Sequence, residues 1–253
     1  MNYFLEKNSA LFNEIPFTIK YEIDNSPSLK KDISAYLNNA NKGHKYRIIY
    51  DEKDNAINQT IDNITYNLGV DYIGPSRYFL EKDGIKEDVI MLICIATRYI
   101  GGHILFPTTR YSVGNQQKSL NEIRSYRFKE RLDYFLFELK RWYNGENKVE
   151  ASKNVFESNK KWFLQFKSFK GYIDYFLLND FVDTNYDIYD LSSYDGSKNK
   201  YKNIILDQPS VKYTGNYQLD LEKSYIPKVY SNYVLGCIKA IKNRTSRINK
   251  SVL

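Results

Sequence analysis

The chain has 253 residues, of which 42% are hydrophobic, 26% charged and 16% aromatic. This composition is typical of a globular protein and excludes a disordered or fibrous chain. No stretch rich in Pro, Gly or Ser divides the sequence, so we predict a single α+β domain spanning residues 1–253. The 37 basic and 30 acidic side chains give a net charge of +7.

The first half of the chain is predicted to form strands and turns. Residues 17–23 alternate between polar and apolar side chains with period two, which indicates a half-buried strand. Ser28 is placed to cap a short helix that runs through Leu37. Residues 45–50 form a second strand candidate.

Two apolar runs flank a pair of glycines in the middle of the chain. Residues 89–95 come before Gly101 and Gly102, and residues 103–107 follow them. We interpret the two runs as core secondary structure around a tight turn, with Pro107 ending the second element.

A long helix is predicted to begin at Ser119, because Ser119 and Glu122 match the capping-box pattern. Apolar residues then recur at helical spacing up to Tyr143, and Asn144-Gly145 provides a stop signal.

Further helices are predicted over residues 155–166 and 172–182, where Gly171 is expected to break or bend the chain. Residues 183–202 are polar and should form an exposed excursion, followed by a short strand at 203–206. The last helix begins near Pro227, which suits a first helical turn. Together these elements predict a small antiparallel sheet from the N-terminal half, covered by three or four amphipathic helices from the C-terminal half.

The sequence also predicts a cytoplasmic protein with no membrane partner. Residues 1–7 lack a basic leader followed by an apolar run, and no stretch approaches the ~20 apolar residues that span a bilayer. Cys94 and Cys237 both lie among apolar residues, which favours buried reduced thiols over a disulfide or a metal site.

The basic excess lies in the middle and at the end of the chain. Residues 96–170 carry 15 basic and 7 acidic side chains, and residues 228–253 carry 6 basic and none acidic. This asymmetry is compatible with a phosphate-rich partner, but for a modest excess we favour the alternative of a solvated surface with a basic tail.

Arginines on the predicted long helix form the candidate ligand site. Arg124, Arg127 and Arg131 would follow one another along one shoulder of the apolar stripe, where guanidinium groups are half-desolvated and suit phosphate recognition. The candidate anion-binding residues are Asn121, Arg124 and Arg131, with Lys170 and Asp174 nearby. The alternative is that these arginines pair with acids of neighbouring elements, such as Asp174 or Asp180.

Two basic residues directly precede two aromatic residues at 140–143 and at 160–163, a mixture that suits single-stranded nucleic acid. The same mixture also marks the boundary between the two faces of an amphipathic helix, and Trp142 and Trp162 are expected to anchor the core.

Other kinds of site are poorly supported by the sequence. His103 is expected to be a buried histidine with its hydrogen bonds satisfied, and His44 has no partner at metal-ligand spacing. Asp174 and Asp180 could in principle hold Mg²⁺, but a six-residue spacing places them on different faces of a helix. Phosphate-binding loop, dinucleotide-binding, serine-hydrolase and Cys-x-x-Cys motifs are absent, and we predict no cofactor and no metal.

Several segments resemble an uncharacterised bacterial family classified only as a domain of unknown function. The resemblance lies in residues 100–107 (I-G-G followed by F-P), Asn121-x-x-Arg124, Arg131-Leu132-Asp133, residues 169–180 (F-K-G-Y-I-D-Y-F-L-L-N-D) and the last helix around Asn243-Arg244 and Arg247-Ile248. It departs from the family pattern at Ser125, where the family has Gly, and at Lys170, where the family has Arg. The resemblance implies a shared α+β fold and carries no activity.

The resulting hypothesis is a protein that interacts with nucleic acid or nucleotide phosphate through an Arg-lined site, with bacterial defence or a toxin–antitoxin pair as one setting. Two alternatives remain open: a non-catalytic subunit that binds another protein, and a small-molecule enzyme that acts on a phosphorylated metabolite.

Overall fold

Four antiparallel strands form the sheet of the N-terminal half. The computed structural model describes residues 26–75, 77–82, 84–113, 116–120, 131–146, 150–196, 198, 200–201 and 227–252. The sheet has the order β1 (Ile48–Asp51), β2 (Ala56–Ile61), β3 (Ile64–Tyr72), β4 (His103–Pro107), and each strand pairs with the next. Two smaller ribbons pair β5 (Arg110–Val113) with β6 (Gln116–Ser119) and β7 (Tyr194–Asp195) with β8 (Lys200–Tyr201).

Eight helices of the described chain accompany these strands. They are α1 (Pro27–Ala40), α2 (Arg77–Lys82), α3 (Glu87–Ala96), α4 (Leu132–Tyr143), α5 (Glu150–Ser158), α6 (Lys160–Leu164), α7 (Phe169–Tyr175) and α8 (Pro227–Val252). Short 3₁₀ turns occupy Ile100–Gly102, Asn179–Phe181 and Leu191–Ser193. The predicted α+β architecture is confirmed.

Local chemistry explains how the first elements form. Ser26 caps α1 by accepting the Leu29 backbone N–H at 3.2 Å, and Pro27 occupies the first turn. The predicted cap at Ser28 was therefore wrong by two residues. β2 and β3 are joined by a two-residue turn in which Asp62 and Asn63 both have positive φ, the backbone that matches the twist of a hairpin.

The apolar runs around the paired glycines form core elements, as predicted. Residues 89–95 belong to helix α3, and residues 103–107 form β4, a strand whose every residue is buried. The turn between them lies against α8, because a Cβ atom at Gly101 would stand 2.3 Å from Thr245 Oγ1 and 2.6 Å from the Ile241 carbonyl oxygen. Gly101 therefore allows the two segments to approach closely.

The predicted long helix from Ser119 to Tyr143 was wrong in its continuity: Leu120 is helical directly after Ser119, but the chain is not helical at Arg131. Ser119 lies in β6, and α4 begins only after Arg131, whose backbone is extended (φ −77°, ψ 105°). Side chains satisfy the first helical N–H groups here: the distant Tyr233 hydroxyl accepts the Leu132 N–H at 2.9 Å, and the adjacent Asp133 carboxylate accepts the Tyr134 N–H at 3.0 Å. The stop at Gly145, which has φ +73°, is confirmed.

The next two predicted helices are each interrupted. Asn159 separates α5 from α6, and its buried side chain donates to the Val155 carbonyl at 3.2 Å, which competes with helix continuation. Helix α7 ends at Tyr175 instead of residue 182, because Leu177 adopts a left-handed backbone (φ +54°). Gly171 does not break α7, since it lies inside the helix.

The prediction of an exposed excursion over residues 183–202 was wrong in part, because Ile188, Leu191 and Tyr194 are buried. The last helix begins at Pro227, as predicted. The predicted strands at residues 17–23 and 203–206 lie outside the described residues.

Helix α8 connects the parts of the core through one buried side chain. Arg244 has no exposed surface, and its guanidinium donates to the carbonyls of Phe176 at 3.0 Å, Gly101 at 2.8 Å and His103 at 2.5 Å. It also donates to the Tyr36 hydroxyl at 2.8 Å. One side chain thus joins α1, the turn before β4, the end of α7 and α8.

Candidate functional site

A cleft of about 460 Å³ opens between helix α6 and the segment that leads into β1. We call it the lysine cleft. It is lined by Gly43, His44, Lys45, Tyr46, Ile61, Asp62, Lys161, Leu164, Gln165 and Lys167. The tight turn after β2 brings Asp62 to the same end of the sheet as Lys45 and Tyr46, and α6 closes the opposite wall.

A closed set of amide hydrogen bonds fixes the wall behind the cleft. Gln59 lies on the same face of β2 as Ile57 and Ile61, because side chains two residues apart in a strand share a face. Its side chain therefore points into the core, where it is 1% exposed. Gln59 Nε2 donates to Gln165 Oε1 at 2.9 Å, and Gln165 Nε2 donates to Gln59 Oε1 at 3.0 Å. Gln59 also donates to the Tyr46 carbonyl at 3.1 Å and accepts from Trp162 Nε1 at 3.2 Å.

Because these polar atoms have partners, the network holds the strand, the segment before β1 and helix α6 in one arrangement. The lysine cleft is therefore shaped before any ligand arrives.

The charge of the cleft is predominantly positive. Three lysines line it, against a single carboxylate, that of Asp62. Lys45 Nζ lies 3.2 Å from Asp62 Oδ1 and 4.6 Å from the centre of the Tyr46 ring, and the Tyr46 hydroxyl donates to Asp62 at 2.6 Å. Hydrogen bonds from Tyr46 and Lys45 lower the pKa of Asp62 below its usual value.

This ion pair leaves the cleft accessible to an anion. The Lys45 and Asp62 side chains are 73% and 63% exposed, and exposed pairs contribute little stability, so an incoming anion can compete for Lys45. Within the described chain, the side chains of Lys161 and Lys167 make no hydrogen bond or ion pair, and both are exposed.

His44 has a fixed position at the edge of the cleft. Its Nδ1 lies 3.1 Å from the Tyr46 carbonyl oxygen and 3.3 Å from the Tyr46 backbone nitrogen. Its ring meets the Tyr175 ring edge-on at 4.8 Å. These contacts orient the imidazole without using Nε2, which leaves that atom available for hydrogen bonding.

A second pocket of about 320 Å³ adjoins the cleft on the other side of Leu164. We call it the tryptophan pocket; its lining is Trp142, Tyr143, Gly145, Lys153, Glu157, Lys160 and Leu164. Trp142 Nε1 donates to Glu157 Oε1 at 2.9 Å, and Lys160 Nζ lies 3.3 Å from Glu157 Oε2. The Trp142 N–H and Lys160 lower the pKa of Glu157, although its partial burial opposes this.

The residues predicted as an anion site have different surroundings. Arg131 is 5% exposed and forms a two-pronged pair with Asp133, with Nε to Oδ1 at 3.1 Å and Nη2 to Oδ2 at 2.6 Å. Nη2 also donates to Asp190 at 2.7 Å, and the guanidinium lies between the rings of Tyr134 and Tyr233. Although burial opposes the charge, Asp133 and Asp190 raise the pKa of Arg131 well above its usual value.

Lys170 and Asp174 are brought together, as predicted, but they form a surface pair. Lys170 Nζ lies 2.6 Å from Asp174 Oδ2 and contacts the Tyr186 hydroxyl, which itself donates to Asp174 Oδ1 at 3.0 Å. Asn179 donates to the same carboxylate at 3.1 Å. Partial burial of Asp174 tends to raise its pKa, but these hydrogen-bond donors outweigh burial and lower the pKa.

Asn121 and Arg124 lie outside the described residues, as does Arg127. Anion binding by the five predicted residues thus stays a prediction. For Arg131, the alternative of an ion pair with neighbouring acids fits the geometry, with Asp133 and Asp190 in place of Asp174 or Asp180. Asp180 instead lies 3.1 Å from Arg247, and Asp174 faces Lys170.

The other candidate side chains have structural surroundings. His103 is 2% exposed, and its Nδ1 lies 3.0 Å from the Tyr99 carbonyl oxygen. Trp162 is fully buried, as predicted, but Trp142 is only partly buried. Neither Cys94 nor Cys237 forms a disulfide within the described residues; Cys237 is buried and Cys94 half-buried.

Sequence reasoning did not identify the lysine cleft. Its residues come from three separate segments, 43–46, 61–62 and 161–167. The mixture of basic and aromatic residues at 160–163 was the one sequence signal for this cleft, because Trp162 and Phe163 are buried in the core while Lys160 and Lys161 stay exposed.

Two other kinds of feature are not found in the described residues. No group of three His, Cys, Asp or Glu side chains in the described ranges could hold a metal ion. None of the helices in those ranges combines the length and apolar character that crossing a membrane requires.

A model for a family of unknown function (DUF6994) matches residues 21–248. No curated protein and no solved structure matches the chain. The match extends through the sheet, both pockets and the buried Arg244.

Proposed function

The chain belongs to this family of unknown function (DUF6994), and because membership assigns no activity, we propose from the geometry that it binds nucleic acid or nucleotide phosphate at the lysine cleft. The observation that carries the proposal is a preformed cleft with three lysines and one carboxylate, in which Lys161 and Lys167 are not paired within the described chain.

The physical argument starts from the cost of holding like charges together. Three ammonium groups around one cleft repel each other, and a phosphate group relieves that repulsion while accepting their hydrogen bonds. Lysine acts as a compact, mobile point charge, so this set suits a phosphate chain better than a planar carboxylate. The fixed wall behind the cleft need not rearrange on binding, so the ordering cost is confined to the lysine side chains.

The site differs from the Arg-lined site predicted from sequence, although the ligand class is the same. The Arg131 guanidinium already has two carboxylates and two aromatic rings around it. An anion that reached Arg131 would have to displace a buried carboxylate, which is far less favourable than displacing the exposed Asp62.

The first testable prediction concerns the double variant Lys161→Gln/Lys167→Gln. It should bind a labelled mixed-sequence oligonucleotide pool at least about tenfold more weakly than the wild type at low salt. The dependence of log affinity on log salt should become shallower by about 1.4, since each lost single-strand phosphate contact removes about 0.7. Fluorescence anisotropy across a salt series measures both quantities.

The matched control is Lys53→Gln/Lys86→Gln, which removes the same charge from two exposed lysines that line neither pocket. Lys53 lies in the turn at the far end of β2, about 17 Å from the cleft end of that strand. An equal loss in both double variants would reduce the effect to net charge and contradict the proposed site. Absence of any binding by the wild type at low salt would contradict the function itself.

A further inference from the structure

The two pockets share a rim on helix α6. Leu164 lines both of them, and 48% of its surface is exposed, an unusual position for a large apolar side chain. Lys161 lines the lysine cleft and Lys160 lines the tryptophan pocket, because successive residues of a helix point about 100° apart. An apolar ridge with a cation on each side therefore connects the pockets.

The Trp142 ring is held in a fixed orientation at the far pocket. Its N–H is bonded to Glu157, and the rings of Phe163 and Phe156 lie 5.7 Å and 5.9 Å from its centre. Tyr143 meets it edge-on at 5.0 Å. The ring remains only partly buried, so it can offer surface to a ligand without first giving up rotational freedom.

The chemistry of the two pockets differs in a way that matches the two parts of a nucleotide. The lysine cleft has three cations and one carboxylate, which suits phosphates. The tryptophan pocket has an aromatic ring, and its own carboxylate, Glu157, is engaged by Trp142 and Lys160. Lys153 and Lys160 give this pocket a smaller positive excess than the lysine cleft, and its partly exposed ring is a surface on which an uncharged base can stack.

We propose that a single-stranded nucleic acid lies across both pockets, with backbone phosphates in the lysine cleft, the chain crossing the Leu164 ridge, and one base against Trp142. This inference rests on the proposed function and narrows its ligand class. Volumes of about 460 Å³ and 320 Å³ accommodate nucleotide-sized groups. Stacking between successive base pairs in a duplex covers the base faces, so a duplex cannot place a base on Trp142 without opening.

Oligothymidylates of two to ten nucleotides, with 5′-phosphates, test the path along the surface. We expect a dinucleotide to occupy the lysine cleft alone and a chain of about six nucleotides to reach both pockets. Affinity should rise about tenfold from the dinucleotide to the hexanucleotide and then level off, because one stacked base adds a factor of that order. A duplex of equal phosphate content should bind at least about tenfold more weakly than the single strand.

Tryptophan emission reports the predicted stacking directly. The chain has two tryptophans, and Trp162 is fully buried, so quenching by the hexanucleotide should come from Trp142. Trp142→Phe should remove the quenching and weaken hexanucleotide binding about fivefold. The control Tyr189→Phe alters a ring that lines neither pocket and should change neither quantity. Thermal unfolding shows whether the Trp142 variant is folded.

The outcomes separate the two proposals. If the dinucleotide binds through Lys161 and Lys167 but longer strands gain nothing and leave the emission unchanged, the extended path is wrong and the lysine cleft stands. If neither length binds, the proposed function is wrong as well. Equal affinity for the duplex would overturn the assignment of a single strand.

Discussion

Arg244 shows how a cation can be placed in a protein core without a carboxylate beside it. Its four described hydrogen bonds all go to neutral acceptors, three backbone carbonyls and the Tyr36 hydroxyl. Carbonyls at the end of a helix or a tight turn lack intrahelical partners, and a guanidinium fork can satisfy several of them at once. Burial raises the pKa of Tyr36, which keeps its hydroxyl a neutral acceptor for Arg244.

Replacement of Arg244 by Met should therefore destabilise the fold strongly. The variant leaves the carbonyls of Phe176, Gly101 and His103 buried without a donor, and each such group costs about 1–3 kcal/mol. We expect a loss of about 3–5 kcal/mol in the free energy of unfolding, measured by urea denaturation.

Lys250→Met is the matched control, because it removes a cation from an exposed position of the same helix. It should change stability by less than about 0.5 kcal/mol. Similar losses in the two variants would mean that Arg244 contributes through charge alone and not through the acceptors it joins.

Individual residues show which parts of the site could be read from sequence. The exposed lysines at 160 and 161 follow from helical periodicity once Trp162 and Phe163 are assigned to the core. Gln59 could not be recognised, because a glutamine within a strand is ordinarily solvent-facing, and its burial depends on the distant partners Gln165 and Trp162.

At the level of elements, apolar patterning predicted where helices and strands exist better than where they begin. The run 89–95, the stop at Gly145 and the start at Pro227 depend on local chemistry and were confirmed. The predicted helix over residues 119–143 was wrong in its continuity, because Arg131 has an extended backbone and α4 begins only at Leu132. The Arg131 side chain bonds Asp190, which is 59 positions away, and a single sequence does not show such contacts.

The start of α4 depends on a buried ion pair, which leads to a prediction for Arg131→Met. This variant leaves the Asp133 carboxylate, which has no exposed surface, without its cation. It also frees Asp190 in the segment that precedes β7. Removal of one partner of a buried pair costs about 3–5 kcal/mol, so the unfolding free energy should fall by that amount.

Lys31→Met serves as the control, because it breaks the exposed pair with Glu52 and should cost less than about 1 kcal/mol. Oligonucleotide binding by Arg131→Met separates the two roles of this arginine. Retained stability together with lost binding would assign Arg131 to a ligand site, as the sequence pattern predicted, and would contradict its structural role.

On the scale of the whole molecule, the sheet and helices assemble a site that no short motif encodes. Tyr46 and Lys161 are 115 positions apart, and the hydrogen bond between Gln59 and Gln165 spans 106. Composition correctly indicated basic character, since the excess in residues 96–170 includes Lys153, Lys160, Lys161 and Lys167. Only the fold brings four of these lysines to adjoining pockets.

The stability of the whole molecule should depend on pH through His103. Burial, with the nearby Arg244 and Arg98, lowers the pKa of His103 from its usual 6.5 to about 4. Between those values the unfolded chain binds a proton that the folded chain does not, so acid favours unfolding. The contribution of neutral His103 is fully present above pH 6.5 and is lost as the pH falls from 6.5 towards 4.

The expected slope from this residue is up to about 1.4 kcal/mol per pH unit, or about 3 kcal/mol in total. Urea denaturation of the wild type and His103→Gln at intervals from pH 7 to pH 4 measures it. The variant has no imidazole at this position, so its stability should fall less steeply over this range even if it is lower at pH 7. Parallel curves for the two proteins would show that His103 takes up its proton in the folded core, and the neutral, buried imidazole inferred from its contacts would then be wrong.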